Sequence, residues 1–197
     1  MFDRRYVIPL EKGNYSSWAL QKGVFSISEC EEIIQKGLLL DRYAGVIGGD
    51  NTVVNSIRKS TVAFFDPKQQ DTAWIFERIK SVVDTVNKQF WCFDLKFMEC
   101  IQFTEYSTMG DFYTRHMDMR YQDLEVRKLS VSVQLSDPNS YSGSDLKLFR
   151  VGDEFDLAPR DQGTVIFFPS YHIHEVTPIK SGTRYSLVSW IAGPSFR

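Results

Sequence analysis

The sequence has little of what builds a disulfide scaffold, a membrane span or a grip on nucleic acid. Its only cysteines are Cys30, Cys92 and Cys100, with no CxxC pair. An odd count in a chain of this length is no disulfide framework. Buried free thiols in a reducing, cytoplasmic compartment are the expectation. No apolar run approaches the roughly 18 residues of a spanning helix, so no membrane partner is expected. The opening, MFDRRYVIPLEKGNYSSW, lacks the apolar stretch of a signal peptide. The Asn14-Tyr15-Ser16 triplet is therefore read as a loop rather than a glycan acceptor. Lys/Arg blocks are missing too, and the formal charge is -2. Extended contact with a nucleic-acid backbone needs several clustered cations, which leaves at most a local patch on the fold.

What is present describes a globular chain. Of its 197 residues, 43% are hydrophobic and 24% charged, which argues against disorder. That length suits one domain, or one domain with an N-terminal helical annex. The aromatic share, 14% with 15 Phe and 9 Tyr, leans towards strands. A helix is predicted from Ser28, where Ser28 and Glu31 have capping-box spacing and Ile33, Ile34, Leu38 and Leu39 continue an apolar face. Gly37 weakens its last turn. The clearest helix spans Gln70 to Phe90, with Trp74, Ile75, Ile79, Val82, Val83 and Val86 at helical spacing. Between the two, Tyr43 to Lys59 reads as a loop with room for a short strand, and Ser60 to Phe65 as a strand.

After Trp91 the period shortens to two. Strands are expected over Phe97–Tyr106, Lys128–Leu135, Asp145–Phe149, Thr164–Phe168 and Arg184–Ile191. Turns are expected at Asp137–Asn139, Tyr141–Gly143, Arg150–Asp153 and Ile179–Gly182. Helices followed by many short strands do not make a βαβ repeat. They predict a mostly β fold, an antiparallel barrel or jelly roll buttressed by N-terminal helices. Residues 1–96 would form a helical and strand support region, and 97–197 the core, within one compact fold.

All three histidines fall in the second half: His116, His172 and His174. Singly, each is more readily a satisfied structural histidine. His116 and Asp118, however, stand two apart, so on an extended strand both side chains leave one face. A second histidine on another strand would complete two imidazoles and a carboxylate. That facial set leaves metal positions open and suits iron(II) oxygen chemistry, although zinc accepts the same donors. His172 competes with His174 as the distal ligand.

Three blocks surround these residues: YSTMGDFYTRHMD at 106–118, RKLSVSVQLSD at 127–137 followed by YSGSDL at 141–146, and FPSYHIHEVTPIKSGTRYS at 168–186. Together they resemble the prolyl 4-hydroxylase-like branch of the iron(II)/2-oxoglutarate dioxygenases, over about Phe97 to Ala192. The resemblance implies a double-stranded β-helix, the jelly roll. It implies an iron(II) triad of His116, Asp118 and His174, with 2-oxoglutarate and O₂ as cosubstrates. Arg184, ten residues past the distal histidine, would grip the far carboxylate of 2-oxoglutarate through paired charge-assisted hydrogen bonds. Ser186 shares its strand face and Tyr106 matches a family tyrosine that contacts the cosubstrate. Tyr113 stands nearby, either as a contact or as packing. Gln134 replaces a tyrosine found in some relatives, and Gly143-Ser144-Asp145 stands where Gly-Gly is common.

The implied reaction is hydroxylation of a prolyl residue in a peptide or protein. A free amino acid, small metabolite or nucleic acid remains an open substrate, and a zinc hydrolase or a jelly-roll binding module an open alternative. Trp190 is expected in the barrel core. The stretch Met119–Asp123 is expected either to frame a peptide or to be a solvated loop. Oligomeric state is not legible.

Overall fold

The structure, a computed structural model, describes residues 16–46, 54–122 and 124–196. Asn14, Tyr15 and Asp123 lie outside these. In chain order the elements are β1 (Ala19–Gln21), α1 (Ile27–Leu38), β2 (Tyr43–Ala44), β3 (Arg58–Lys59), β4 (Thr61–Phe65) and α2 (Ala73–Phe90). Then come β5 (Phe97–Met98), β6 (Ile101–Tyr106), β7 (Phe112–His116), β8 (Tyr121–Gln122), β9 (Glu125–Gln134), β10 (Tyr141–Gly143) and β11 (Leu146–Phe149). The last are β12 (Phe155–Leu157), β13 (Val165–Pro169), β14 (His174–Val176), β15 (Ile179–Gly182) and β16 (Arg184–Pro194).

The large sheet runs β1-β13-β9-β16-β6-β4-β2, with β5 on β16 and β8 on β9. The smaller sheet runs β12-β11-β14-β7-β3. From β6 onwards the main strands alternate between the two: β6, β9, β13 and β16 in the large sheet, β7, β11 and β14 in the small one. All pairings are antiparallel. This alternation is the jelly roll expected of the sequence.

Strand parity decides what each face carries. On β9, Leu129, Val131 and Val133 join the core beneath the helices, as do Ile101 and Phe103 on β6 and Leu187 and Ile191 on β16. On β13, Val165 and Phe167 face that core while Ile166 and Phe168 face the other sheet. The helices close the outer face. α2 buries Ile75, Phe76, Ile79, Val82, Val83 and Val86, each burial worth about 1.5–3 kcal/mol. Gly37 of α1 lies against the Phe103 ring, where a Cβ would come within 2.6 Å of a ring carbon; the residue that weakens the helix makes room for the core.

Four local expectations need correction. Helix α1 starts two residues early, because Ser26 and Glu29, not Ser28 and Glu31, form the reciprocal capping box. Gly163 O accepts from both Val24 and Phe25 N–H and so fixes the chain just ahead of that cap. Helix α2 begins at Ala73 rather than Gln70. The segments Tyr141–Gly143 and Ile179–Gly182 are paired strands, not turns. Gly143 and Gly182 both have positive φ, and a Cβ on either would meet backbone oxygen, Pro178 O at 2.3 Å or Ser140 O at 2.1 Å. Their glycines permit close backbone approach, which a sequence reading mistakes for a turn signal. Finally, the thiols are free, but only Cys30 is buried, its pKa pushed up to about 12 by that burial; Cys92 and Cys100 are exposed.

Candidate metal and cosubstrate site

The cavity-facing side of β6, β9 and β16 carries polar residues where their helix-facing side is apolar. Gln102, Thr104 and Tyr106 of β6, Ser132 of β9, and Arg184, Ser186, Val188 and Trp190 of β16 line a cavity of about 950 Å³ between the sheets. His116 and His174 enter it from the small sheet, paired in register on β7 and β14. Asp118 lies beyond the end of β7, so the expected single strand does not carry both residues. The chain is pinned there instead by Met119 N–H donating to Ser170 O at 2.7 Å.

His116 Nε2 lies 3.6 Å from Asp118 Oδ1, and His174 Nε2 lies 3.5 Å from Asp118 Oδ2. Among the described residues this is the one group of three or more His, Cys, Asp or Glu side chains placed to share an ion. Each imidazole is oriented from behind. His116 Nδ1 meets Thr114 O at 2.7 Å and His174 Nδ1 meets His172 O at 2.9 Å. A carbonyl only accepts, so Nδ1 carries the proton and the Nε2 lone pair faces Asp118. Burial, then the neighbouring His174, pushes the His116 pKa down to about 3. Burial would raise that of Asp118, but the His174 and His116 rings outweigh it and hold the carboxyl below its ordinary value. A neutral His116 imidazole and an ionised Asp118 carboxylate are what a metal requires of these two ligands. Asp118 Oδ2 is buried without a hydrogen-bond partner among the described residues, which fits a cation.

His172 stands apart from this group. Its backbone carbonyl orients His174, while its half-buried side chain does not join Asp118.

Arg184 is 2% exposed and pairs across the sheet with Tyr106. Its Nη2 donates to Gln134 Oε1 at 2.8 Å, and Gln134 Nε2 donates to Pro159 O. Its Nε and Nη1 are buried without a hydrogen-bond partner among the described residues. A buried guanidinium with donors unused among the described residues, lining the same cavity as the orphaned carboxylate oxygen, fits an anionic ligand. Ser186 is buried on the same strand face. Tyr106 is buried, with the Arg184 guanidinium 5.8 Å from its ring. Tyr113 stacks on His116 at 3.5 Å between ring centroids.

Three contributors escape the sequence reading. Gln134, seen there only as a departure, holds Arg184. Trp190, expected in the core, lines the cavity with the Arg127 guanidinium 4.0 Å over its ring; the even-numbered residues of β16 from Arg184 to Trp190 face inward, a parity that Arg184 alone could have disclosed. Arg58 reaches the cavity from β3, and no local pattern marks it.

Comparison with known proteins follows the same lines. Residues 101–192 match the model of the 2OG-Fe(II) oxygenase superfamily. A PKHD-type hydroxylase of Synechococcus sp. (strain CC9605) is 40% identical over 88 residues, 43% of this chain and 38% of the relative. The chain thus spans under two fifths of the length of the first curated relatives it matches. In fold it is similar to a Pseudomonas putida prolyl-4-hydroxylase, with TM-score 0.70, 20% identity, and 91% and 94% of the two chains covered. It is also similar to a Trichoplax adhaerens prolyl hydroxylase in complex with a hypoxia inducible factor peptide fragment, with TM-score 0.70, 17% identity, and 89% and 83% covered.

Proposed function

We propose, because residues 101–192 match the model of the 2OG-Fe(II) oxygenase superfamily, that the protein is an iron(II)- and 2-oxoglutarate-dependent hydroxylase acting on prolyl residues of a peptide or protein. The observation that carries the chemistry is the convergence of His116, Asp118 and His174 on one point, with the unpaired donors of Arg184 in the same cavity. Iron(II), 2-oxoglutarate and O₂ supply an oxidation in which the cosubstrate loses CO₂ to become succinate and the substrate gains a hydroxyl.

The chain's own work is binding and placement. His116 Nε2, His174 Nε2 and an Asp118 oxygen would hold the metal from one side. Arg184 would bind the far carboxylate of 2-oxoglutarate, with Gln134 fixing its guanidinium and Tyr106 and Ser186 lining the approach. Leu146, Phe168 and Val176 give the same cavity apolar walls, which exclude water from the reacting atoms. No protein acid or base is required.

The prolyl assignment is supported by the sequence blocks at 106–118, 127–137 and 168–186 and by the names of the relatives. Among the described residues no helix is long and apolar enough to cross a membrane. A proline-containing peptide library, incubated with iron(II), 2-oxoglutarate and O₂, should show one added oxygen on proline in step with succinate. Strong coupled turnover of a free metabolite or nucleic acid, with no proline oxidised, overturns the peptide assignment and leaves the oxygenase standing.

A further inference from the structure

The cavity has more cationic side chains than the cosubstrate uses. Among the described residues Arg58, Arg120, Arg127 and Arg184 line it against two carboxylates, Glu99 and Asp118. Asp118 belongs to the proposed metal triad. Arg127 is neutralised in place, its Nε and Nη2 each 2.6 Å from a Glu99 oxygen. Arg120 is exposed at the rim. Arg184 is assigned to 2-oxoglutarate. That leaves Arg58, which is only 6% exposed and has no carboxylate partner among the described residues.

Its seat is built. Nε donates to Ser60 Oγ at 2.9 Å and Nη1 to Val46 O at 3.3 Å. The guanidinium lies 4.8 Å over the Tyr113 ring, which itself stacks on His116. A Cβ at Gly45 would come within 2.5 Å of both Arg58 Nε and Ser60 Oγ, so the chain is bare where the guanidinium passes. A guanidinium has five N–H donors, and two are used among the described residues. Burying a charge without a counter-charge is expensive unless something returns that cost. Tyr113, itself stacked on the triad's His116, holds this one on the cavity wall.

We propose that Arg58 binds a carboxylate carried by the second substrate, close to the position that is oxidised. The site's identity rests on the hydroxylase reading above; the anion preference rests on Arg58 itself. A carboxylate could be an acidic side chain flanking the target in a peptide, or the terminal carboxylate of a small substrate. The guanidinium fork accepts both.

The test is binding to the full chain loaded with 2-oxoglutarate and zinc(II), which accepts the same ligands and does not turn over. The probes are the blocked peptide Ac-Ala-Glu-Pro-Ala-NH₂, its Gln counterpart, the same pair with the order Pro-Glu and Pro-Gln, and Ac-Ala-Ala-Pro as free acid and as amide. Binding about tenfold or more tighter for an acid than for its neutral twin is expected. A Glu preference identifies a side-chain carboxylate, and an acid-over-amide preference a terminal one. In Arg58→Gln the preference should vanish, while Arg58→Lys keeps part of it and both retain wild-type affinity for 2-oxoglutarate. Equal affinities within every pair for the wild type, or a preference that survives Arg58→Gln, overturns the proposal. The wild-type series is decisive even if a variant fails to fold. Succinate formation with iron(II) and O₂ is scored separately. Turnover without acid preference sinks the Arg58 proposal alone, and acid preference without any turnover sinks the hydroxylase reading alone.

Discussion

Replacing Arg184 with Met should separate cosubstrate binding from folding. Methionine fills much of the same volume but removes the charge and every donor. In the native protein Arg184 spends Nη2 on Gln134 and keeps Nε and Nη1 unpaired. Two charge-assisted hydrogen bonds are therefore at stake. Each is worth about 1.5–3 kcal/mol, and truncating one partner of a buried charged pair costs roughly 2–5 kcal/mol. Taking about 3–4 kcal/mol, the Kd for 2-oxoglutarate should rise roughly 100- to 1,000-fold. The ligand-free variant should be nearly as stable as the wild type. It loses one hydrogen bond to Gln134, and it also loses the burden of a buried, unpaired charge. Anaerobic calorimetric titration of 2-oxoglutarate into iron-loaded protein gives the Kd, and thermal melting of the unliganded protein gives the stability. A Kd within threefold of wild type refutes the assignment. A normal melt makes that refutation clean.

Other expectations follow from neighbouring contacts. Alanine at His116, Asp118 or His174 should sharply weaken iron binding and abolish succinate formation. His172→Ala should retain both, because His174 is oriented by the backbone carbonyl of residue 172; an essential His172 with a dispensable His174 would reverse the ligand assignment. Gln134→Leu removes one hydrogen bond to a charged group, about 1.5–3 kcal/mol, so 2-oxoglutarate affinity should fall roughly tenfold or more while iron affinity holds. The metal-free protein should lose stability on acidification. With His116 at about 3 when folded and about 6.5 when unfolded, the unfolded chain takes up a proton that the folded one refuses. Stability thus falls as pH drops from about 6.5 towards 3, and the lowered carboxyl of Asp118 adds loss of the same sign below its ordinary range. Melts at pH 7 and 5 would show it, and His116→Asn should flatten the slope; a wild-type melt that rises on acidification contradicts the account.

Legibility in the sequence followed the range of the interactions involved. Period-two strands such as β9 and β16, and the helical spacing of α2, report burial on one face, and burial is what residue type encodes best. His116, His174 and Arg184 could be singled out because short motifs hold them at fixed spacing. The β10–β15 pair was misread because its glycines answer to backbone oxygens of a distant segment, not to local turns. Ser28 and Ser26 offer equivalent caps on paper; Gly163, far along the chain, fixes the strand-to-helix passage where Ser26 prevails. Arg58 has no local signature at all. Its role arises only when β3 pairs with β7 and brings it over Tyr113.

The interleaving of the large sheet has an evolutionary corollary. Along β6, β9 and β16 residues that shape the cavity, such as Gln102, Ser132 and Ser186, alternate with residues that face the helices, such as Ile101, Phe103, Val131, Val133 and Leu187, so the two sets occupy alternate letters of the same short words. A substitution at Gln102, Thr104, Ser132, Val188 or Trp190 redraws the cavity wall while leaving the packing beneath α1 and α2 untouched. Selectivity can therefore drift by single replacements at little risk to the fold, whereas an insertion or deletion of one residue inside these strands would exchange wall for core along its whole length. Descendants of such a chain should diversify by substitution within the strands and confine changes of length to the loops that join them.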